Sequence, residues 1–148
     1  MSGGLARLVK DVMTREVLAV SPSTSVYRTA ILMAERGVGS CVILSDEKLV
    51  GIVTERDFVR RVLAKGLPPR RTRVEKIMTS PVTVIGENAT LEEAIEVMAD
   101  QNVKRLVVVG DSGVTGIISV SDLIKVMGKT EADLSRLPRI FLARETER

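Results

Sequence analysis

The sequence predicts an α/β (α+β) fold built from two tandem repeats, each with the element order β-α-β-β-α. The first supporting observation is a repeat without gaps, because GIVTERD, which begins at Gly51, returns as GIISVSD at Gly116, 65 positions later. At the same offset, identical or apolar residues fall on each other along most of the chain, as expected for a duplicated domain. The second observation is that β-branched runs alternate with helical patterns in both copies.

Each copy opens with a short segment that is followed by a helix. The segments VMTREVLAV and IMTSPVTVI carry Val and Ile in near alternation, which indicates a strand. Ser25 in the first copy and Thr90 in the second then begin the helix. TLEEAIEVM places Glu93 three residues after the Thr90 hydroxyl, which is a capping-box signature, and its apolar residues follow at helical spacing.

The second half of each copy reads as a hairpin followed by another helix. SCVILS and RLVVVG are β-branched runs, DEK and DSG are polar turns, and LVGIVT and VTGIIS are the returning strands. The closing helices, ERDFVRRVL and VSDLIKVM, end near Gly66 and Gly128. Because one unit of about 60 residues is marginally stable, we expect the two copies to bury the exposed faces of their sheets against each other.

These elements divide the chain into four parts. Residues 1–66 form the first repeat, 67–73 a linker, 74–128 the second repeat, and 129–148 a C-terminal tail. The linker assignment rests on Gly66 and the two prolines that follow it in KGLPPRRTR. The basic linker and the tail are candidate contacts for a partner.

Composition excludes several classes of function. The chain has no histidine and one cysteine, Cys41, so zinc sites, histidine-based triads and intrachain disulfides are excluded, and we expect no metal. The formal net charge is +3, but aromatic residues make up only 2%, which argues against single-stranded nucleic acid bound by stacking. No apolar run reaches the length of a membrane span, and no secretory signal is evident, so we expect a cytoplasmic protein. The excess of Arg over Lys and the scarcity of Asn and Gln are typical of a thermophile.

The steps Thr54-x-x-Asp57 and Ser119-x-x-Asp122 close the repeated motif and have two interpretations. In the structural one, the hydroxyl caps the next helix and the carboxylate reaches back to the capping amide. In the ligand one, the helix start binds an anion, the carboxylate accepts ribose hydroxyls, and apolar walls from VLAV and VTVI enclose an adenine. The two are compatible, because a capping Asp keeps other lone pairs free.

The sequence resembles the CBS domain family, named for cystathionine β-synthase, in its tandem arrangement. The resemblance is carried by VMT and IMT, the helix ends AERGV and ADQNV, the strands CVILSDEKLVGIVT and LVVVGDSGVTGIIS, and the two hydroxyl-x-x-Asp steps. It covers residues 9–128. It implies two CBS-type repeats packed as a pseudo-two-fold module with two clefts, and two such modules in a homodimer.

The resemblance also implies ligands and site residues. The ligands are adenosine compounds: AMP, ADP, ATP or S-adenosylmethionine. Asp57 and Asp122 would hold ribose hydroxyls. Candidates near phosphate or sugar are Thr54, Ser119, Arg56, Lys104, Arg105, Gly39 and Ser40. Candidates flanking the adenine are Val17, Leu18, Ala19, Val82, Thr83 and Val84.

We therefore expect a regulatory module that has no catalytic residue, requires no cofactor and signals to a separate protein. AMP is favoured because one or two basic groups meet the charge of a monophosphate. The clefts should be unequal, since Gly39–Ser40 in the first copy corresponds to Lys104–Arg105 in the second. An enzyme that pairs Asp57 with Asp122 lacks convergent partners. The alternatives are a structural or oligomerisation module and a nucleic-acid-binding protein, each with empty clefts.

Overall fold

The computed structural model of the protein describes residues 7–127, so the predicted tail, 129–148, lies outside the described residues. The predicted order of elements is confirmed, with a short helical turn added ahead of each copy. In chain order the elements are α1 (Val9–Val12), β1 (Ala19–Val20), α2 (Val26–Arg36), β2 (Ser40–Ser45), β3 (Lys48–Thr54), α3 (Glu55–Asp57, continued as a π-helix over Phe58–Leu63), two 3-10 turns (Pro69–Arg71 and Val74–Lys76), β4 (Val84–Gly86), α4 (Leu91–Gln101), β5 (Arg105–Gly110), β6 (Gly113–Ser119) and α5 (Val120–Met127).

The two copies form two three-stranded sheets with the same topology. The strand orders are β1-β2-β3 and β4-β5-β6, and in each sheet the first pair is parallel and the second antiparallel. The register shifts once in each hairpin, between Ile43 and Leu44 and between Val108 and Val109. Shared irregularities of this kind support a duplication. The opening strands are shorter than the sequence suggests, since only two and three residues belong to β1 and β4.

Both central helices begin where their sequences predict. The Ser25 hydroxyl accepts from the Arg28 amide at 2.9 Å, and the Thr90 hydroxyl accepts from the Glu93 amide at 3.1 Å. The Glu93 carboxylate accepts from the Thr90 amide at 2.8 Å, which completes the capping box. Local hydrogen bonds therefore specify where each helix starts.

The segment that opens each copy packs on the other copy. Val9 and Met13 are buried in the core of the second copy, and Thr14 pairs with Ile117 of β6 through two backbone hydrogen bonds of 2.8 and 2.9 Å. Val74 is buried in the core of the first copy, and Thr79 pairs with Ile52 of β3. Each hydrophobic core is thus completed by the other copy, although the repeats follow one another along the chain.

This exchange explains the glycine in each repeated motif. A Cβ added to Gly51 would collide with the Met78 side chain, and one added to Gly116 would lie 2.8 Å from the carbonyl oxygen of Thr14. Carbon atoms in contact prefer separations of about 3.5–4.0 Å. A glycine is needed at these two positions because the exchanged segment lies directly over the strand.

The two sheets meet at a shared apolar seam. Val42 and Val107 are fully buried in it, and Ile52 is 9% exposed. Val17, Val82 and Ile117 pack around them from both copies. The expectation that the copies bury sheet faces against each other is therefore confirmed.

The linker is docked on the start of α2. Val26 N donates to Thr72 O at 2.8 Å, and Val74 N donates to Thr24 O at 2.7 Å. The Arg70 guanidinium lies 3.9 Å from the centre of the Tyr27 ring. These contacts hold the connection between the copies in one path.

Candidate functional site

The first hydroxyl-x-x-Asp step lies where β3 passes into α3. Thr54 N donates to Asp57 Oδ2 at 2.9 Å, and the Thr54 hydroxyl lies 3.4 Å from the same oxygen. Asp57 is 8% exposed. The carboxylate part of the structural interpretation is confirmed here, because Asp57 accepts from the amide at the start of the helix.

The second step repeats the carboxylate contact between β6 and α5 and adds a hydroxyl cap. Ser119 N and Ser119 Oγ approach Asp122 Oδ2 at 2.9 and 3.1 Å, and Asp122 N approaches Ser119 Oγ at 3.2 Å. Asp122 is half-buried. Both aspartates therefore use Oδ2 for capping, which leaves Oδ1 for other contacts.

The Oδ1 atoms have different neighbours in the two copies. Asp57 Oδ1 lies 3.6 Å from Arg61 Nε. Asp122 Oδ1 accepts from the Thr14 hydroxyl at 3.4 Å. Thr14 belongs to the exchanged segment, so the surroundings of Asp122 are built from both copies. Both contacts are long, and a carboxylate oxygen with two lone pairs can accept a further donor.

The candidate phosphate residues lie beside the helix starts of their own copies. Ser40 pairs with Thr54 in the β2–β3 ladder, and Gly39 O accepts from Glu55 N at 3.1 Å. Arg105 pairs with Ser119 in the β5–β6 ladder. Lys104 O accepts in the same way from Val120 N, at 3.0 Å. The backbone of each dipeptide is thus fixed next to a hydroxyl-x-x-Asp step.

The Arg105 side chain crosses to the other copy. A Cβ built on Gly39 would lie 3.9 Å from Arg105 Nη2 and 3.2 Å from Glu55 Oε1. The guanidinium therefore lies close to the start of α3, two residues before Asp57. The sequence left open which cleft Arg105 serves, and its position favours the Asp57 cleft. Lys104 and Arg56 are exposed.

The candidate adenine-flanking residues separate into three groups. Val17 and Val82 pack in the seam between the sheets, and Thr83 is half-buried. Leu18 is 8% exposed and packs in the first core, so its side chain is turned away from the seam. The remaining two candidates, Ala19 and Val84, are exposed.

Comparison with known proteins identifies the repeats. A family model described as the CBS domain matches residues 9–64 and 74–129. The chain belongs to the CBS domain family. It is 35% identical over 120 residues to an uncharacterized protein of Methanopyrus kandleri, a match that covers 80% of this chain and 61% of that protein's length.

Solved structures of CBS proteins share the fold. An uncharacterized conserved protein from Pyrococcus horikoshii matches with a TM-score of 0.77 at 35% identity, over 84% of this chain and 95% of the other. A hexameric CBS-CP12 protein from bloom-forming cyanobacteria matches with a TM-score of 0.76 at 29% identity, over 81% and 67%. The CBS domain pair of protein MJ0100, solved with 5′-methylthioadenosine and S-adenosyl-L-methionine, matches with a TM-score of 0.75 at 25% identity, over 83% and 97%.

The sequence did not lead us to predict two residues that contact the aspartates, Thr14 and Arg61. Thr14 is the hydroxyl of the repeated Met-Thr pair, so its recurrence was a signal, but its contact lies 108 residues away along the chain. Arg61 follows Asp57 by four residues, which is the spacing of neighbours on one helix face. That spacing could have identified Arg61.

The remaining chemistry of the described residues is sparse. Burial raises the pKa of the Cys41 thiol to about 12, so this cysteine is a core residue rather than a nucleophile. Within residues 7–127 no cluster of three or more His, Cys, Asp or Glu side chains is arranged to hold a metal. In that same range, no helix has the length and apolar character needed to cross a membrane.

Proposed function

We propose that this CBS pair is a regulatory module that binds an adenosine-containing ligand, with AMP favoured, and signals to a partner protein. The observation that carries the proposal is the shared geometry of Asp57 and Asp122. Each carboxylate caps a helix with Oδ2 and keeps Oδ1 for a further donor. Two adjacent ribose hydroxyls are such donors.

The surroundings of Asp57 suit the rest of a nucleotide. Val82 supplies apolar surface at the seam. The Arg105 guanidinium, near the start of α3, is a positive charge that a phosphate could meet. One or two basic groups match a monophosphate better than a triphosphate, which is why AMP is favoured. The adenosine compounds in the MJ0100 complex and the regulatory role of tandem CBS domains support this class of ligand.

A ligand in either cleft would act on the packing of the copies. Residues of both copies lie near each aspartate, since Arg105 approaches the start of α3 before Asp57, and Thr14 contacts Asp122. A ligand that contacts both copies stabilises the packed arrangement over looser ones, and this difference in affinity is what shifts a conformational equilibrium. The output is a change in shape or in association, in a homodimer, that a separate protein reads. The module performs no chemical step itself.

The test is calorimetric titration of nucleotide-stripped protein with AMP, ATP and S-adenosylmethionine. Asp57→Ala and Asp122→Ala are each expected to abolish one of two binding events. Thr90→Ala is the matched control, because it also removes a helix cap but at a helix start with no candidate ligand residue. Binding at ~100 times the dissociation constant should add ~2.7 kcal/mol of stability.

Two results would contradict the proposal. If no adenosine compound gives heat or a thermal shift, both aspartates return to their capping role and the module is structural. If Thr90→Ala weakens binding as much as the aspartate variants do, the losses report general destabilisation rather than loss of a ribose contact.

A further inference from the structure

We propose that Arg61 is a positioning residue that makes the Asp57 cleft the tighter of the two. It does so by tying the Asp57 carboxylate to the exchanged segment of the second copy. The contacts that Arg61 makes are present in the protein without ligand. Its consequence for affinity rests on the proposed function.

The Arg61 guanidinium contacts one carboxylate and two backbone carbonyl groups. Arg61 Nε lies 3.6 Å from Asp57 Oδ1, and Arg61 Nη1 donates to the carbonyl oxygens of Ile77 and Met78, both at 3.1 Å. Its planar fork of donors suits this arrangement, which a single ammonium group cannot reproduce. Arg61 therefore connects the helix of the first copy to the chain of the second.

The tied segment is the one that builds the other wall of the cleft. Ile77 is 2% exposed in the first core, and Thr79 N donates to Ile52 O at 2.8 Å. Three residues later, Val82 enters the seam as a candidate neighbour of the adenine. A ligand held by Asp57 and Val82 would touch both of the elements that Arg61 joins. Because Arg61 holds these elements together before a ligand binds, less conformational entropy is lost on binding.

The second copy has no arginine beside its aspartate, although Arg7 Nη1, from the segment that opens the first copy, donates to Val126 O at 3.3 Å. The residue 65 positions after Arg61 is Val126, which is apolar, and Asp122 Oδ1 has the neutral Thr14 hydroxyl instead. The carboxylate of the second copy is therefore joined to the exchanged segment by one long hydrogen bond. This difference gives the two clefts unequal affinities for a ligand. It acts in addition to the difference between Gly39–Ser40 and Lys104–Arg105.

The first arm of the test measures amide hydrogen exchange in the protein without ligand. In Arg61→Gln, the amides of Thr79 and Ile52 should exchange roughly 3- to 10-fold faster, a modest effect because the guanidinium is half-exposed. Arg60→Gln is the matched control, since Arg60 is an exposed neighbour on the same helix, and it should leave both rates unchanged. Arg61→Lys should restore only part of the protection. Equal rates in wild type and Arg61→Gln would overturn the tie.

The second arm titrates the same proteins with AMP. In Arg61→Gln the event that Asp57→Ala abolishes should weaken by roughly 3- to 10-fold, and the event that Asp122→Ala abolishes should keep its affinity. A merely structural role would weaken both events or neither, and either result overturns the proposal. If wild-type protein binds no AMP, the same titrations are made with ATP and S-adenosylmethionine. If none of the three binds, the proposed function fails together with the affinity claim, and the exchange rates still decide whether Arg61 ties the segment.

Discussion

Gly51→Ala tests the exchange of segments between the copies most directly. The added methyl would lie 2.8 Å from Met78 Cγ and 3.1 Å from Met78 Cβ, and closer still to the sulfur. Favourable carbon contacts need about 3.5–4.0 Å, so the methyl overlaps a side chain of the other copy. Met78 cannot retreat freely, because Thr79 is hydrogen-bonded to Ile52 at 2.8 and 3.1 Å.

Overpacking of this kind costs about 1–3 kcal/mol. Met78→Ala alone should cost about 2 kcal/mol, the low end for a methionine truncation, since Met78 is only half-buried. In the double variant the truncated side chain makes room for the methyl. The double variant should therefore be nearly as stable as Met78→Ala, with a favourable coupling of about 1–3 kcal/mol, the cost of Gly51→Ala alone.

The assay is urea denaturation of the four proteins in a double-mutant cycle, with Gly86→Ala as the control. A Cβ on Gly86 meets no atom within 4 Å, so this substitution should change the midpoint little. Additive losses for Gly51→Ala and Met78→Ala would refute the reasoning, because they would mean that the two residues do not touch. A loss in Gly86→Ala as large as in Gly51→Ala would point to backbone effects instead.

Three further predictions concern the first core. Ile77→Ala should destabilise the whole chain by about 2–4 kcal/mol in denaturant unfolding, because Ile77 is buried in the copy to which it does not belong in sequence; a loss below 1 kcal/mol would contradict the cross-packing. The pKa of Cys41 is raised to about 12 in the folded protein, so the thiol of the unfolded chain ionises first as the pH rises above about 9. The contribution of Cys41 to the free energy of unfolding should therefore be complete below pH 9 and decline between pH 9 and pH 12. Cys41→Ala should make the free energy of unfolding depend less on pH in this range than it does in wild type. The thiol should also react with iodoacetamide far more slowly in the folded protein than in urea, and equal rates would show that Cys41 is accessible.

Local features of the fold were predictable from the sequence. The helix starts at Ser25 and Thr90 follow from hydroxyl caps, which act over three residues. The hairpins follow from β-branched runs joined by short polar turns. The 65-residue offset predicted that whatever held for one copy would hold for the other, and the two sheets have the same topology.

The opening segments show what a local sequence pattern cannot predict. Alternating Val and Ile predicted a strand over VMTREVLAV, but Val12 ends a helical turn and Met13 follows it, both in the second core, and only Ala19–Val20 pair in the first sheet. The pattern was correct about burial. It carried no information about which copy would bury each residue, because hydrophobic contacts are non-directional.

By itself, the sequence determined the duplication, the capped helix starts and the presence of a carboxylate at each, since these depend on residue types within a few positions of one another. Only the tertiary structure decided what those carboxylates face. Arg61 meets the carbonyl oxygens of Ile77 and Met78, Thr14 reaches Asp122, and Arg105 crosses toward Gly39. Each contact joins residues of different copies, and their distances are set by how two sheets pack at the seam. That packing is a property of the assembled core, which no short stretch of the chain specifies.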